Sequence, residues 1–241
     1  MKKSIFVCLG GILLTAGCMH TGPAASGTGE GADALLKLGQ WTPNKDAKVA
    51  IKAASGPIVA DGKLNEAAWK QATALGDFIQ GRSQRPEVES RVLVTYDKVN
   101  LYVAVICAEP DTDKLLATSQ GPDGSVWNDD SVEIYIDPGC QKTRDFFAFM
   151  VNSKNVTYDR TRDSNWSGTW SSGAGLVAGQ AWIAEAVIPF KTLGLAATVD
   201  QKLGLMVARS RRAGGRNQSF YLVPCEHEAK NTALYPVLEL K

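Results

Sequence analysis

Beyond an apolar run at its start, the chain alternates hydrophobic and polar residues in short stretches broken by turn residues, with no later sustained 3.6-residue apolar period. That alternation belongs to strands that press one face into a core, and it predicts an all-β protein. In RVLVTYD, Val92, Val94 and Tyr96 share a face; NLYVAVICA follows after a turn at 97–100, which predicts a hairpin. Further strands are expected in SVEIYID, DFFAFMVN paired with VTYDR, AWIAEAVIP, KLGLMVARSR, QSFYLV and LYPVLEL. In SVEIYID the alternation turns Val132, Ile134 and Ile136 inward and places Ser131, Glu133, Tyr135 and Asp137 on the other face. Two short helical turns are expected, residues 65–71 with Asn65 as cap and residues 189–193 with Pro189 at the start. Together these elements predict one antiparallel β-sandwich, of jelly-roll or immunoglobulin-like layering, with no internal repeat and no second domain.

The first residues, MKKSIFVCLGGILLTAGC, carry Lys2 and Lys3, then an apolar run from Ile5 to Leu14, then small residues. This is a secretory signal, too short to span a membrane as a helix. LLTAGC also resembles a bacterial lipoprotein processing site, with Thr15 where leucine is usual, which makes Cys18 the lipidated N-terminus; an ordinary cleaved signal is the alternative. The expected organisation is a signal over 1–17, a flexible Gly/Ala/Ser/Thr-rich tether over 18–45 and a sandwich over 46–241. Such a chain sits at the cell envelope, lipid-anchored to the outer membrane or at a periplasmic or extracellular face, and meets the membrane through its lipid only.

Charge narrows the partners. Removing Lys2 and Lys3 from 26 basic residues leaves 24 against 25 acidic ones, a balance that gives no pull towards nucleic acid. Cys107, Cys140 and Cys225 remain beyond the signal; one disulfide is possible among them, and their spacing is no metal motif.

Five segments fit a known family together: IVADGKLNEAAWKQA, YDKVNLYVAVICAEPD, WNDDSVEIYIDP, WIAEAVIPFKTLG and LGLMVARSRR. In this order the sequence resembles the family 9 carbohydrate-binding modules, β-sandwiches that accompany polysaccharide-degrading enzymes. The resemblance implies sugar binding without cleavage, in a slot between two aromatic walls, with Trp127 as one wall and Glu133 as a carboxylate that takes sugar hydroxyls. Physical chemistry supports both roles, since an indole face is a rigid apolar platform and a carboxylate accepts strong charge-assisted hydrogen bonds. The opposing wall, which the family draws from the region before its last strand, falls here on Phe220 or Tyr221. The family's sugar-contacting arginine falls at or near Met150.

Other candidates carry competing readings. Trp166 and Trp170, in a polar Gly-rich loop, either extend a binding platform or fold over the sandwich. Trp69 and Trp182 are expected in the core. Arg209, Arg211, Arg212 and Arg216 flank a Gly-Gly pair; they form either a solvated hairpin tip or, through Arg216 or a neighbour, the substitute for the missing strand arginine. Asp129, Asp130 and Asp61 either order loops or, as the resemblance implies for such modules, hold structural Ca²⁺, with Asp129 and Asp61 as the candidate ligands. A glycosidase pair of Glu133 with Asp129 or Glu185 is weighed against the ease with which alternation generates carboxylate pairs, and no G-x-S-x-G nucleophile motif is present. The chain is therefore expected not to be an enzyme. Its partners would be a glycan terminus or short glycan stretch and the glycoside hydrolases of the same envelope, serving polysaccharide breakdown. The alternatives are a scaffolding lipoprotein that kept the fold and lost the site, and a haem-binding redox domain that uses Met150, Met206 and His227.

Overall fold

The computed structural model describes residues 45–164, 166–225 and 228–241. The signal, Cys18, nearly all of the tether and His227 lie outside them. Thirteen strands follow in order: β1 (Lys48–Ile51), β2 (Thr73–Leu75), β3 (Ile79–Gln80), β4 (Ser90–Tyr96), β5 (Asn100–Ala108), β6 (Ser131–Pro138), β7 (Phe147–Asn152), β8 (Thr157–Thr161), β9 (Ser171–Val177), β10 (Ala181–Pro189), β11 (Lys202–Arg211), β12 (Gln218–Tyr221) and β13 (Val237–Leu240). They build a sandwich of two sheets. The smaller runs β2-β4-β5-β10-β9; the larger runs β1-β13-β11-β6-β7-β8, with β12 and then β3 attached beside β11. All pairings are antiparallel except β1 with β13, which is parallel.

Long β11 organises the larger sheet. Its first residues pair with β13 and its last with β12, so those two strands sit end to end along one edge of it. Val92, Val94, Ile134, Ile136, Phe149, Trp182 and Val207 fill the space between the sheets. A second apolar layer lies on the outer face of the smaller sheet, where Leu93, Tyr102, Ile106 and Ile183 are covered by Ile58, Leu64 and Trp69 from the segment ahead of β2. Burial of each such large side chain contributes roughly 1.5–3 kcal/mol. Trp69 and Trp182 are thus core residues of different layers.

Several expectations shift in detail. The helical turns are 3₁₀ turns at Ala67–Gln71 and Phe190–Leu193; Glu66, not Asn65, is the residue that leads into the first, and Pro189, the last residue of β10, leads directly into the second as expected. β6 is covered on both faces, because Tyr135 and Asp137 are buried as fully as Ile134. The glycine-rich stretch at 171–177 is a strand. The basic segment at the end of β11 is no solvated tip throughout, since Arg209 and Arg211, still on the strand, are buried and paired with Glu109. No disulfide joins Cys107, Cys140 and Cys225, and no helix among the described residues is long and apolar enough to cross a membrane.

Candidate functional site

Strand register alone assembles a row of side chains across the outer face of the larger sheet. Tyr158 on β8 lies opposite Met150 on β7, Met150 opposite Glu133 on β6, Glu133 opposite Ala208 on β11, and Ala208 opposite Tyr221 on β12. Two strand spacings, about 10 Å, separate Glu133 from each flanking tyrosine. The row floors a cleft of about 320 Å³ into which Trp127, Arg160, Ser210, Ser219 and Lys230 also project, a volume at the lower end of ligand pockets, which run to about 1,000 Å³.

Trp127 stands on a 3₁₀ turn at Val126–Asn128 whose Val126 is buried as an anchor, while the indole is 40% exposed. Its ring meets Tyr158 edge-on at 5.2 Å between centroids. The two acidic residues that follow fasten this turn. Asp129 accepts from Thr118 N and Oγ1 (each 2.9 Å), Ser119 N (3.1 Å) and Asn152 Nδ2 (2.9 Å). Asp130 accepts from Leu116 N and Arg212 N. Burial works against the Asp129 charge, but these donors outweigh it and hold the carboxyl below its ordinary range.

Glu133 sits half-buried on the cleft floor and accepts a short hydrogen bond from the Tyr135 hydroxyl. Burial raises its carboxyl, opposed by that bond and by the charges of Lys230 and Arg212. Tyr135 is itself fixed edge-on to Phe146, 5.4 Å away. Among the described lining residues Glu133 is the one carboxylate; Glu185 belongs to β10 in the other sheet, and the Asp129 oxygens are occupied. Among the described residues, a two-carboxylate hydrolytic pair is therefore not assembled around Glu133.

Of the residues singled out from the sequence, Trp127, Glu133 and Tyr221 converge on the cleft. Phe220 points the other way along β12, fully buried beneath the Arg209 guanidinium at 5.6 Å, so it has no face to offer a ligand. Trp166 packs edge-on against Phe147 at 4.9 Å, and Trp170 against Phe149 at 5.1 Å while donating to Asp159; both close the side of the sandwich next to β7. Arg216 is turned away, ion-paired with Asp111 at 2.9 Å. The arginines at the cleft are instead Arg160, in its lining, and Arg212, whose guanidinium approaches the Trp127 carbonyl at 3.5 Å. Met150 occupies the floor position expected for a sugar-contacting arginine, and Met206 is buried one register level away on the same sheet. Tyr158, Arg160 and Lys230 complete the lining and carry no motif of their own in the sequence. The period of two in VTYDR, with its hairpin partner, carries enough information to place Tyr158 beside Met150; nothing local marks Lys230.

At the Ca²⁺ candidates, the Asp129 carboxylate accepts four hydrogen bonds and Asp61 accepts from Lys63 N and Nζ, and among the described residues no group of three His, Cys, Asp or Glu side chains converges.

The sequence model described as "carbohydrate family 9 binding domain-like" matches residues 59–241. Among solved structures, the chain is similar to a family 9 carbohydrate-binding module from Caldicellulosiruptor kristjanssonii in complex with cellotriose, with a TM-score of 0.61 and 17% identity over 80% of this chain and 93% of that one. A complex of such a module from the same organism with glucose gives 0.60 and 18% over 80% and 95%. A Bacteroides uniformis protein, proposed by its name to bind carbohydrate, gives 0.65 and 12% over 81% and 99%. At these identities the likeness is one of fold. No curated protein matches the chain significantly.

Proposed function

The chain belongs to the carbohydrate family 9 binding domain-like family, and from that premise we propose that it binds a glycan without cleaving it, in the cleft above Glu133. One observation carries this reading: a solvent-facing indole, Trp127, shares a small cleft with a half-buried carboxylate, Glu133, and a tyrosine on either side. An exposed aromatic face next to an acceptor of two hydrogen bonds is what a pyranose needs, with its C–H face on the ring and adjacent hydroxyls on the carboxylate. The cleft lies on one sheet face, so a short glycan stretch or an end can enter it. Tethering through a lipidated Cys18 would keep captured glycan near the envelope, where separate glycoside hydrolases work on it.

Titration calorimetry against cello-, xylo- and uronate oligosaccharides tests this. Trp127→Ala is expected to lower affinity by at least about tenfold with the fold intact, and Glu133→Gln by about 1–2 kcal/mol. Wild-type affinity in the Trp127 variant would remove the cleft from consideration. Metabolic labelling with a fatty acid, lost in Cys18→Ser, tests the anchor; label retained in that variant refutes it.

A further inference from the structure

Positive charge at the cleft exceeds what hydroxyl recognition requires. Arg160 and Lys230 line it, and Arg212 stands behind Trp127, close enough to act on Glu133. Arg160 spends its described hydrogen bonds on the carbonyls of Thr161 and Arg162, and Arg212 on those of Arg211, Gln218 and Trp127 and on Ser210 Oγ. Among the described residues none of the three cations has a carboxylate partner in an ion pair. The neighbouring acids are committed elsewhere: Asp159 to the Trp170 indole, Asp129 and Asp130 to backbone and side-chain donors, Glu109 to Arg209 and Arg211. The chain as a whole is nearly neutral, with 26 basic and 25 acidic residues, so this local excess is a property of the cleft and not of the surface at large.

We propose that the cleft selects a glycan whose sugar ring carries an anionic substituent, a uronic acid in the first place, with hydroxyls read by Glu133 and the ring carboxylate by Arg160 and Lys230. This rests on the sugar-binding reading above and sharpens it to a ligand class. The guanidinium of Arg160 presents parallel N–H groups that match the two oxygens of a planar carboxylate, which favours a uronate over a sulfate ester. Cations gathered around a walled cleft also raise the local concentration of an anionic ligand.

The test is calorimetry of the purified protein with uronate oligosaccharides of gluco, galacto and manno configuration. Each is compared with its own methyl ester, and all with a sulfated oligosaccharide. At least one uronate is expected to bind on the order of tenfold tighter than its ester at low ionic strength, a ratio that contracts as salt screens the charges. Arg160→Gln and Lys230→Gln, checked by circular dichroism for an unchanged fold, are each expected to reduce that ratio several-fold. Esters that bind as tightly as their acids, or ratios insensitive to both variants, overturn the proposal; a sulfated ligand preferred over every uronate overturns the carboxylate assignment. If no oligosaccharide binds, acidic, esterified or neutral, the sugar-binding reading itself fails, a result distinct from binding without charge preference.

Discussion

Glu133 and Glu185 are both strand carboxylates whose burial raises them above the ordinary range, yet they face different tasks. Glu133 opens on the cleft; Glu185 is sealed under the turn at 61–62, where Asp61 N and Gly62 N donate to one of its oxygens and the other has no partner. Its pKa is pushed up to about 7 from 4.5, first by burial and then, against the two backbone donors, by the nearby Glu66 and Asp61 charges. The folded protein therefore holds a proton that the unfolded chain releases from pH 4.5 upward. Stability is lost as pH rises from there through about 7, by about 3 kcal/mol at most. Denaturant midpoints at pH 5 and pH 8 are expected to fall in that order and to converge in Glu185→Gln; a variant with the wild-type slope would show that another group titrates. At this scale the sequence reveals type and face but not partner. Trp127 and Glu133 were legible because a motif and an alternation each fix a direction. Phe220 and Tyr221 were not separable, because adjacent strand residues point oppositely and which side of β12 meets solvent depends on β3 and β11. Asp129 looked metal-like because its four donors come from positions 118, 119 and 152, distant in sequence.

β9 shows what an element-level reading loses. Its sequence, SSGAGLV, lacks the β-branched run of its neighbours and passes for loop, yet it pairs with β10 from Ala181 to Val187. The glycines have a packing reason. A Cβ on Gly173 would stand 2.5 Å from the Ala60 carbonyl carbon, and one on Gly175 would stand 2.0 Å from the Gly62 carbonyl oxygen. The strand gives up side chains so that the 60–62 backbone can lie on it, with Gly62 itself at φ +78°. Gly175→Ala must push that turn away and with it the two donors to Glu185. The expected cost is about 1–3 kcal/mol, as for other overpacked interiors, measured as a lower urea midpoint. A cost within 0.5 kcal/mol of zero, a range ordinary for surface changes, would mean the turn is loosely held. By contrast, β4, β5, β6, β10 and β11 were legible throughout, because apolar residues at alternate positions define a strand wherever its partners lie. β1, β2 and β3 were not, since strands of two to four residues at sheet edges are too short to carry a period.

The two sheets are joined by more than apolar contact, and the joint is close to the cleft. Arg209 and Arg211, on β11 in the larger sheet, reach Glu109 just beyond β5 in the smaller one; Glu109 accepts Arg211 Nε at 2.6 Å and Arg209 at 3.2 Å, all three side chains being buried. Arg209 also donates to the Glu89 and Ala108 carbonyls and to Ser90 Oγ, tying β11 to the paired ends of β4 and β5. Burial alone would raise Glu109, but the Arg211 and Asp111 hydrogen bonds and the two guanidinium charges prevail and hold it below the ordinary range. Its contribution is thus present above about pH 4.5, the unfolded value, and is lost as pH falls through the lower folded one. Glu185 has the opposite sign, so the summed contribution of these two carboxyls is greatest near pH 5. Glu109→Ala leaves buried Arg209 with no carboxylate partner among the described residues and Arg211 with only its Glu87 pair, and is expected to cost about 3–5 kcal/mol at neutral pH, a fall in Tm on the order of 10 °C for a domain of this size. Because Arg209 lies over Phe220 and beside Ala208, the same variant loosens β12, which carries Tyr221, and sugar affinity is expected to fall with stability. Unfolding profiles from pH 3 to 9 for the wild type, Glu109→Gln and Glu185→Gln separate the two limbs. The first variant should flatten the acid limb and the second the alkaline one, whereas profiles that change on the same side would mean that the joint and the turn are not independent.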